Sequence, residues 1–212
     1  MKKSDEIFLN VASVIVGSYT NGPGKRVVIW VQGCTIKCKG CCNEELQPHI
    51  AKHLVDPELF AIKIVELCKK HQCEGVTISG GEPFQQCTAL NKFLSAVKDN
   101  NLTITCFSGY ESIALLNSKE LLVRSLIKKL DLLIAGQFNI ANACQDRTWC
   151  ENPDKNVVFL TSAYSPSDSL NNENLEYFMK DDYVDITGFP NPVDNWEIVG
   201  KGHNFHSFYI MS

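Results

Sequence analysis

The run GCTIKCKGCC, from Gly33 to Cys42, is the stretch on which the interpretation of this chain depends. Within it, Cys34, Cys38 and Cys41 follow a C-x3-C-x2-C spacing. Cysteine thiolates are the usual protein ligands of iron–sulfur clusters, and a [4Fe–4S] cluster has four irons to ligate. Three thiolates therefore leave one iron open. An open iron favours a cluster that acts on a small molecule over one that only stores electrons.

Other interpretations of these cysteines are open. A zinc site needs four nitrogen or sulfur ligands, and His49 or His53 could complete one, although their spacing fits no common zinc pattern. A disulfide framework is typical of short secreted chains in oxidising compartments. Cys42 adjoins Cys41 and could replace it as a ligand. The iron–sulfur interpretation fits the spacing best.

A second motif lies downstream. Val76-Thr77-Ile78 is a β-branched run that predicts a buried strand, and Ser79-Gly80-Gly81-Glu82-Pro83 follows it directly. Glycines at the end of a strand let the backbone turn and approach a ligand closely, because no Cβ stands in the way. Taken alone, this pattern predicts a turn.

Composition narrows the class of protein. The chain has 212 residues, 44% hydrophobic and 21% charged, which is enough for one domain with a sizeable core. Ten cysteines without an apolar signal segment predict a reducing compartment, the cytoplasm. No run approaches the roughly 18 apolar residues of a membrane span. The net charge of −4 gives no general attraction to nucleic acid, so we expect neither a membrane nor a nucleic-acid partner.

Strand-like and helix-like segments alternate along the chain, which predicts an α/β fold with a mostly parallel sheet wrapped by helices. The candidate strands are Arg26 to Gln32, Gly75 to Ser79, Leu102 to Phe107, Leu130 to Ala135, Asn156 to Thr161 and Tyr183 to Thr187. The candidate helices are Pro57 to Lys70, Gln86 to Asn100 and Ser118 to Lys129. In the first helix we expect an inward apolar face made of Leu59, Ile62, Val65 and Leu67.

The number of strands indicates the architecture. About six strands are fewer than a closed eight-stranded barrel of ~250 residues has. We therefore expect a single domain over residues 1–212, an open partial (β/α)6 barrel whose core runs from about residue 21 to 190, followed by an irregular tail. Both motifs follow strands, and ligands of such folds lie at the C-terminal ends of the strands.

The two motifs in this order resemble those of the radical S-adenosylmethionine (SAM) superfamily. Further stretches resemble the small activating enzymes that install a glycyl radical on a partner: Asn21 to Gly24, Val28 to Cys34, Cys41 to Glu45, Phe107 to Tyr110, Asp131 to Phe138 and Asp146 to Trp149. The resemblance is greatest to the anaerobic ribonucleotide reductase activating proteins and covers most of residues 21 to 161. The chain departs from that group at Cys42, where members usually have an aromatic residue, and at Ala135, where many have an acidic one.

The resemblance implies the cofactors and the residues that bind them. Cys34, Cys38 and Cys41 would bind a [4Fe–4S] cluster, and the single domain would have the radical SAM type of barrel. The residues that would bind SAM are Ser79, Gly80, Gly81, Glu82, Pro83, Ser108 and Asn43. No side chain is expected to act as an acid–base catalyst. Cys144 and Cys150 could ligate a second cluster, but two thiolates fall short of the usual four.

The resemblance also implies the reaction. The enzyme would cleave SAM reductively to a 5′-deoxyadenosyl radical and use it to install a glycyl radical on a partner such as an anaerobic ribonucleotide reductase. A flavodoxin- or ferredoxin-type protein would donate the electron, and the charges of Lys37 and Lys39 could attract it. The alternative is a radical SAM enzyme that modifies a small molecule or a peptide.

Overall fold

The structure is a computed structural model, and the residues it describes are 7–139, 149, 155–171, 175–179 and 184–188. The strands within them are β1 Leu9–Ser18, β2 Arg26–Val31, β3 His53–Val55, β4 Gly75–Gly80, β5 Thr103–Ser108, β6 Leu132–Ala135, β7 Asn156–Phe159, β8 Leu175–Met179 and β9 Val184–Gly188. The α-helices are α1 Pro57–His71, α2 Cys87–Lys98, α3 Ser112–Leu116 and α4 Leu121–Ile127. Short 3-10 helices span Glu44–Leu46, Pro83–Gln86 and Pro166–Asn171. Cys144, Cys150 and the predicted tail after Gly188 lie outside the described residues.

Seven strands form one sheet in the order β3-β1-β2-β4-β5-β6-β7. At its centre β2, β4, β5 and β6 run parallel to one another. At its two sides β1, β3 and β7 pair antiparallel. The protein is therefore a mixed α/β fold with a parallel central sheet, as the alternation of strands and helices predicts.

The prediction that all six strands share one sheet is wrong for the last of them. All six predicted strands exist, but the last of them, β9, pairs antiparallel with β8 in a separate two-stranded sheet. Sequence reasoning also missed β1, which precedes residue 21 and joins the sheet beside β2. Strand pairing is a tertiary property, and a local apolar pattern does not reveal which neighbour completes the ladder.

Alternate residues of β2 divide between the two faces of the sheet, as the pleat requires. Val27, Ile29 and Val31 lie in the large core between the sheet and the helices. Val28 and Trp30 lie in a smaller cluster on the opposite face. β2 is thus buried on both sides, which is typical of the central strands of a parallel sheet.

The first helix begins at the predicted residue, but the set of side chains that it buries differs from the prediction. The Asp56 carboxylate accepts the N–H groups of Glu58 and Leu59, which caps the helix. Leu59 and Ile62 are 65% and 56% exposed, so the expectation that they point inward is wrong. The buried side chains of this helix are Pro57, Phe60, Ala61, Ile64, Val65 and Cys68. The ring of Phe60 packs on Phe93 of α2 at 5.4 Å, and this contact fixes the rotation of α1. No described helix is long and apolar enough to cross a membrane.

A buried arginine joins the N-terminal ends of the parallel strands. Arg26 is fully buried, and its Nε donates to Thr77 Oγ1 at 2.7 Å. Its Nη1 donates to the Tyr164 hydroxyl at 2.8 Å, and its Nη2 to the Val76 carbonyl at 2.6 Å. Arginine keeps its charge when buried, so its N–H groups need acceptors. These bonds supply them and link β2 and β4 to the segment after β7.

The β8–β9 pair is attached at the same end of the sheet. The Glu176 carboxylate accepts the hydroxyl of Ser18 at 2.6 Å and the N–H of Tyr19 at 2.8 Å. Asn21 Nδ2 donates to the Thr187 hydroxyl at 2.8 Å. These hydrogen bonds connect the loop between β1 and β2 to both strands of the pair.

Asp131 organises a second polar junction beside β6. Its two carboxylate oxygens each lie 2.8 Å from Lys98 Nζ, and they also accept the Ile104 N–H at 2.9 Å and the Thr161 hydroxyl at 2.7 Å. The Asp131 side chain is 4% exposed. Removing a partner from a buried charge costs more than breaking a surface ion pair, because the remaining charge loses its compensation.

Two lysines allow a matched test of this junction. We expect Lys98→Met to lower the free energy of unfolding by about 2 kcal/mol, because it leaves Asp131 without its cation. The control is Lys92→Met, whose partner Glu58 is exposed and 3.8 Å away, and we expect a loss of about 0.5 kcal/mol or less. Denaturant unfolding of the anaerobic protein measures both values. If both variants lost the same free energy of unfolding, the buried Lys98–Asp131 pair would stabilise the protein no more than the exposed pair does.

Candidate functional site

Both sequence motifs lie at the C-terminal ends of neighbouring parallel strands. The cysteine run follows β2, and the Ser79 to Pro83 turn ends β4. The first residues of the cysteine run are fixed by the backbone: the Gly33 N–H donates to the Leu46 carbonyl at 2.8 Å, and the Cys34 N–H to the Gln47 carbonyl at 2.9 Å. The fold therefore brings the two motifs to one edge of the sheet.

The turn touches the start of the cysteine loop through its backbone. The Gly81 N–H donates to the Val31 carbonyl at 2.7 Å, and the Glu82 N–H to the Gly33 carbonyl at 2.8 Å. A Cβ at Gly81 would collide with the Gly33 backbone. The close neighbour of a Cβ at Gly81 is therefore the cysteine loop itself.

The Glu82 carboxylate joins the turn to the end of β5. It is 1% exposed. Its Oε1 accepts the Phe84 N–H and the Ser108 hydroxyl, each at 2.9 Å, and its Oε2 accepts the Gly109 N–H at 2.7 Å. Burial raises the pKa of Glu82 to about 7, although these hydrogen bonds oppose the shift. Both carboxylate oxygens are thus used to hold protein loops.

The remaining predicted binding residues surround this contact. Ser79 and Gly80 end β4 opposite Trp30 and Val31 of β2, and both are partly exposed. Pro83 is buried at the start of the 3-10 helix Pro83–Gln86. Asn43 lies on the cysteine side of the site, where its N–H donates to Cys41 Sγ at 3.4 Å. The structure thus groups Ser79 to Pro83 with Ser108 and places Asn43 next to Cys41.

The cysteines of the loop are free thiols in different surroundings. Cys34, Cys38 and Cys41 are partly exposed, whereas Cys42 is exposed. Burial raises the pKa of Cys34, and the negative charges of Glu82 and Cys41 add to the shift. A hydrogen bond from the Cys42 thiol lowers the pKa of Cys41 to about 6, with help from the Asn43 N–H. Metal ligands must be thiolates, so Cys41 is suited to this role and Cys42 supports it.

Among the described residues, no group of three or more histidine, cysteine or acidic side chains forms a ligand set for a single metal ion. The two histidines of the zinc interpretation have different neighbours. The ring of His49 covers Gly33, and His53 pairs with Val11 at the edge of the sheet. A cluster requires a different arrangement, since each thiolate binds its own iron and the three sulfurs need not converge on one point. The donor chemistry of the cysteine loop fits a cluster.

Ala135 and Ile36 lie beside residues of the site. Ala135 is fully buried in the core between the sheet and the helices. It pairs with Ser108 where β5 and β6 end, so it lies beside a residue of the site, in the buried layer beneath it. Ile36, between the first two cysteines, lies against Gly109, where a Cβ would come within 2.7 Å of its Cδ1. The cysteine loop thus packs on the loop after β5.

Lys155 is a residue of this region that the sequence did not indicate. Its positive charge lowers the pKa of both Glu82 and Cys41. Its Nζ lies 6.0 Å from the centre of the Phe107 ring. A lysine just before β7 has no motif around it, so only the folded sheet reveals that it lies near both motifs.

Comparisons with known proteins show what this chain is similar to. A family model described as a 4Fe-4S single cluster domain matches residues 20–158. The anaerobic ribonucleoside-triphosphate reductase-activating protein of Haemophilus influenzae is 30% identical over 135 residues, which are 61% of this chain and 84% of that protein. The pyruvate formate-lyase-activating enzyme of Staphylococcus aureus is 27% identical over 190 residues, covering 84% of this chain and 73% of its own. The structure of QueE from Escherichia coli covers 49% of this chain and 54% of its own at 15% identity, with a TM-score of 0.40.

The contact between Gly81 and Gly33 can be tested with a single methyl group. We expect Gly81→Ala to destabilise the protein by about 2 kcal/mol, because the Cβ pushes against backbone. The displaced cysteine loop should also retain less iron after anaerobic reconstitution. Ser79→Ala is the control, since it adds no atom, and we expect less than about 0.5 kcal/mol and unchanged iron content. If Gly81→Ala kept full stability and iron but lost affinity for SAM, the Cβ would instead be filling ligand space.

Proposed function

This chain belongs to the family of 4Fe-4S single cluster domains and to the radical SAM activating group, and we propose that Cys34, Cys38 and Cys41 bind its cluster. Its cofactors are a [4Fe–4S] cluster and SAM. The proposal is supported by the spacing of three free, partly exposed thiols in one loop. It is also supported by the low pKa of Cys41. Cys42 acts on Cys41 as a hydrogen-bond donor.

We propose that SAM binds where the turn, the end of β5 and the cysteine loop meet. The residues assigned to it are Ser79, Gly80, Gly81, Glu82, Pro83, Ser108 and Asn43. Glu82 contributes by holding Ser108 and Gly109, because its carboxylate oxygens already accept hydrogen bonds from the protein. The partly exposed backbone at Gly80 and Gly81 is available to a ligand.

The protein is a radical SAM enzyme of the type that activates glycyl-radical enzymes. When bound, the cluster and SAM would supply radical chemistry, with the electron coming from the donor protein. The chain's own residues bind these groups, orient them and keep water away. The observation that carries this function is the hydrogen-bonded contact between the Gly81-Glu82 turn and Gly33, which joins the two motifs in one site.

The partner is inferred from the relatives. One relative is an activating protein for an anaerobic ribonucleoside-triphosphate reductase, and another is a putatively assigned glycyl-radical enzyme activating enzyme. We propose an anaerobic ribonucleotide reductase as the partner, with a backbone glycine as the site of the radical. The electron donor would be a flavodoxin- or ferredoxin-type protein, for which the exposed Lys37 and Lys39 supply positive charge beside the cysteines.

Three further proposals concern architecture and location. The chain would form one radical SAM domain, in which the parallel strands β2, β4, β5 and β6 curve into an open partial barrel. This proposal is supported by the helices that pack on one face of the sheet. The site would then lie at the open end, where a protein loop can enter. The cysteine content favours work in the reducing cytoplasm.

The ligand assignment predicts a specific pattern of iron loss. Changing Cys34, Cys38 or Cys41 to alanine should reduce bound iron from about four per chain to below about one, because each removes a ligand of the cluster. SAM cleavage should disappear in the same variants. Cys42→Ala is the matched control and should keep the cluster. Iron analysis after anaerobic reconstitution measures the outcome. If Cys42→Ala lost the cluster and Cys41→Ala kept it, the third ligand would be Cys42 and the assignment of Cys41 would be wrong.

The activating role predicts a radical on the partner. Reduced enzyme, SAM and an anaerobic ribonucleotide reductase from the same source should give a doublet glycyl-radical signal in electron paramagnetic resonance. A reductase whose radical-site glycine is replaced by alanine is the control and should give no doublet. The activating role would be contradicted if the enzyme cleaved SAM repeatedly with a small molecule or short peptide and produced no radical on a reductase. The protein would then be a radical SAM enzyme that modifies a small molecule or a peptide.

A further inference from the structure

Gln85 connects three loops of the site with one side chain. Its Oε1 accepts the Thr35 N–H at 3.2 Å, and its Nε2 donates to the Thr35 hydroxyl at 2.6 Å. The same Nε2 donates to the Tyr110 hydroxyl at 3.0 Å. Thr35 follows the first cysteine of the loop, and Tyr110 follows β5. Gln85 itself belongs to the 3-10 helix after the Ser79 to Pro83 turn.

These bonds complete a network around Glu82. The Gln85 N–H donates to the Glu82 carbonyl at 3.0 Å. The Tyr110 N–H donates to the Ser108 hydroxyl at 3.1 Å, and that hydroxyl donates to the Glu82 carboxylate. The turn and the loop after β5 are thus joined twice, once by Glu82 and once by Gln85. Gln85 alone extends the network to Thr35.

The segment between the first two cysteines depends on few other contacts. In the part of the chain that the structure describes, the hydrogen bonds that reach residues 35–37 from outside the cysteine loop come from Gln85. Ile36 also packs on Gly109. Residues before this segment are held by strand-end backbone bonds, such as that from Gly33 to Leu46. The Gln85 amide therefore makes the hydrogen bonds that connect this segment to the turn.

We propose that Gln85 is a positioning residue that sets the distance and orientation between the cysteine loop and the SAM-binding turn. The inference rests on the proposed cluster ligands. Gln85 acts through Thr35 and Tyr110 and needs no contact with either cofactor. Its loss should leave the cluster bound but weaken the coupling between the cluster and SAM.

The test is Gln85→Met, which keeps the length of the side chain and removes its hydrogen bonds. We expect about four irons per chain but an affinity for SAM reduced about tenfold, since one or two hydrogen bonds correspond to roughly that factor. SAM should also change the electron paramagnetic resonance spectrum of the reduced cluster less than in the unchanged protein. A third readout is the protection that SAM gives against iron extraction by a chelator, which should be lost.

The adjacent glutamine provides a matched control. Gln86 accepts the Asn10 N–H at 2.8 Å and donates to the Gln32 carbonyl at 3.0 Å, so it joins β1 and β2 outside the network. Gln86→Met should lower stability but keep the SAM-dependent spectral change and the protection of iron. A general effect of losing a glutamine would instead alter both variants in the same way.

Gln85→Glu provides a conservative rescue. Its three partner groups, the Thr35 N–H and the hydroxyls of Thr35 and Tyr110, can all donate to a carboxylate once the hydroxyl hydrogens rotate. We expect its SAM affinity to return to within about threefold of the unchanged protein. If the role of Gln85 were purely steric, Gln85→Met would bind SAM as tightly as Gln85→Glu.

Thr35→Val keeps the proposal falsifiable if Gln85→Met does not fold. Thr35 is exposed, and the change removes only its hydroxyl. It should weaken SAM binding about threefold, and less when Gln85 is already methionine. Unchanged SAM affinity, spectra and iron protection in folded Gln85→Met, or in Thr35→Val, would overturn the proposal. Failure of the unchanged protein to bind iron through its three cysteines would instead overturn the proposed function.

Discussion

The close approach of two backbones, at Gly33 and Gly81, is the constraint on which the site depends. Two N–H groups of the turn donate to carbonyls at the end of β2, and there is no room for a Cβ at Gly81. Glycine is required there by the neighbouring backbone, and this brings the cysteine loop and the turn into one unit. The parallel pairing of β2 with β4 makes the approach possible, because it places both strand ends at the same edge.

A buried acid extends this unit to the third strand end. Glu82 accepts hydrogen bonds from Ser108 and Gly109, and Gln85 repeats the connection through Tyr110. Burying a carboxylate is costly unless its oxygens find donors, and here three donors converge on it. A rigid frame of this kind orients bound groups without moving during the reaction. The segment after Cys34 is held more lightly, so its position is sensitive to single hydrogen bonds.

Stability and function are placed at opposite ends of the parallel strands. Arg26 and Asp131 form polar junctions where β2 and β6 begin, and neither contacts the site residues. The β8–β9 pair is also attached there, through Glu176. The C-terminal ends carry the cysteine loop and the turn. Such a division lets the loops of the site vary in chemistry while the sheet beneath them stays fixed.

The sequence by itself determined the cysteine spacing, the glycine turn, the positions of the central strands and the start of α1, because these depend on local patterns and local backbone chemistry. It left β1 and the pairing of β9 undetected, and it pointed Leu59 and Ile62 to the wrong side. Only the tertiary structure decided that Ala135 lies in the core, that Glu82 holds protein loops, and that Gln85 joins the cysteine loop to the loop after β5. The physical reason is that strand pairing, helix rotation and hydrogen bonds between distant loops join residues that no local pattern connects.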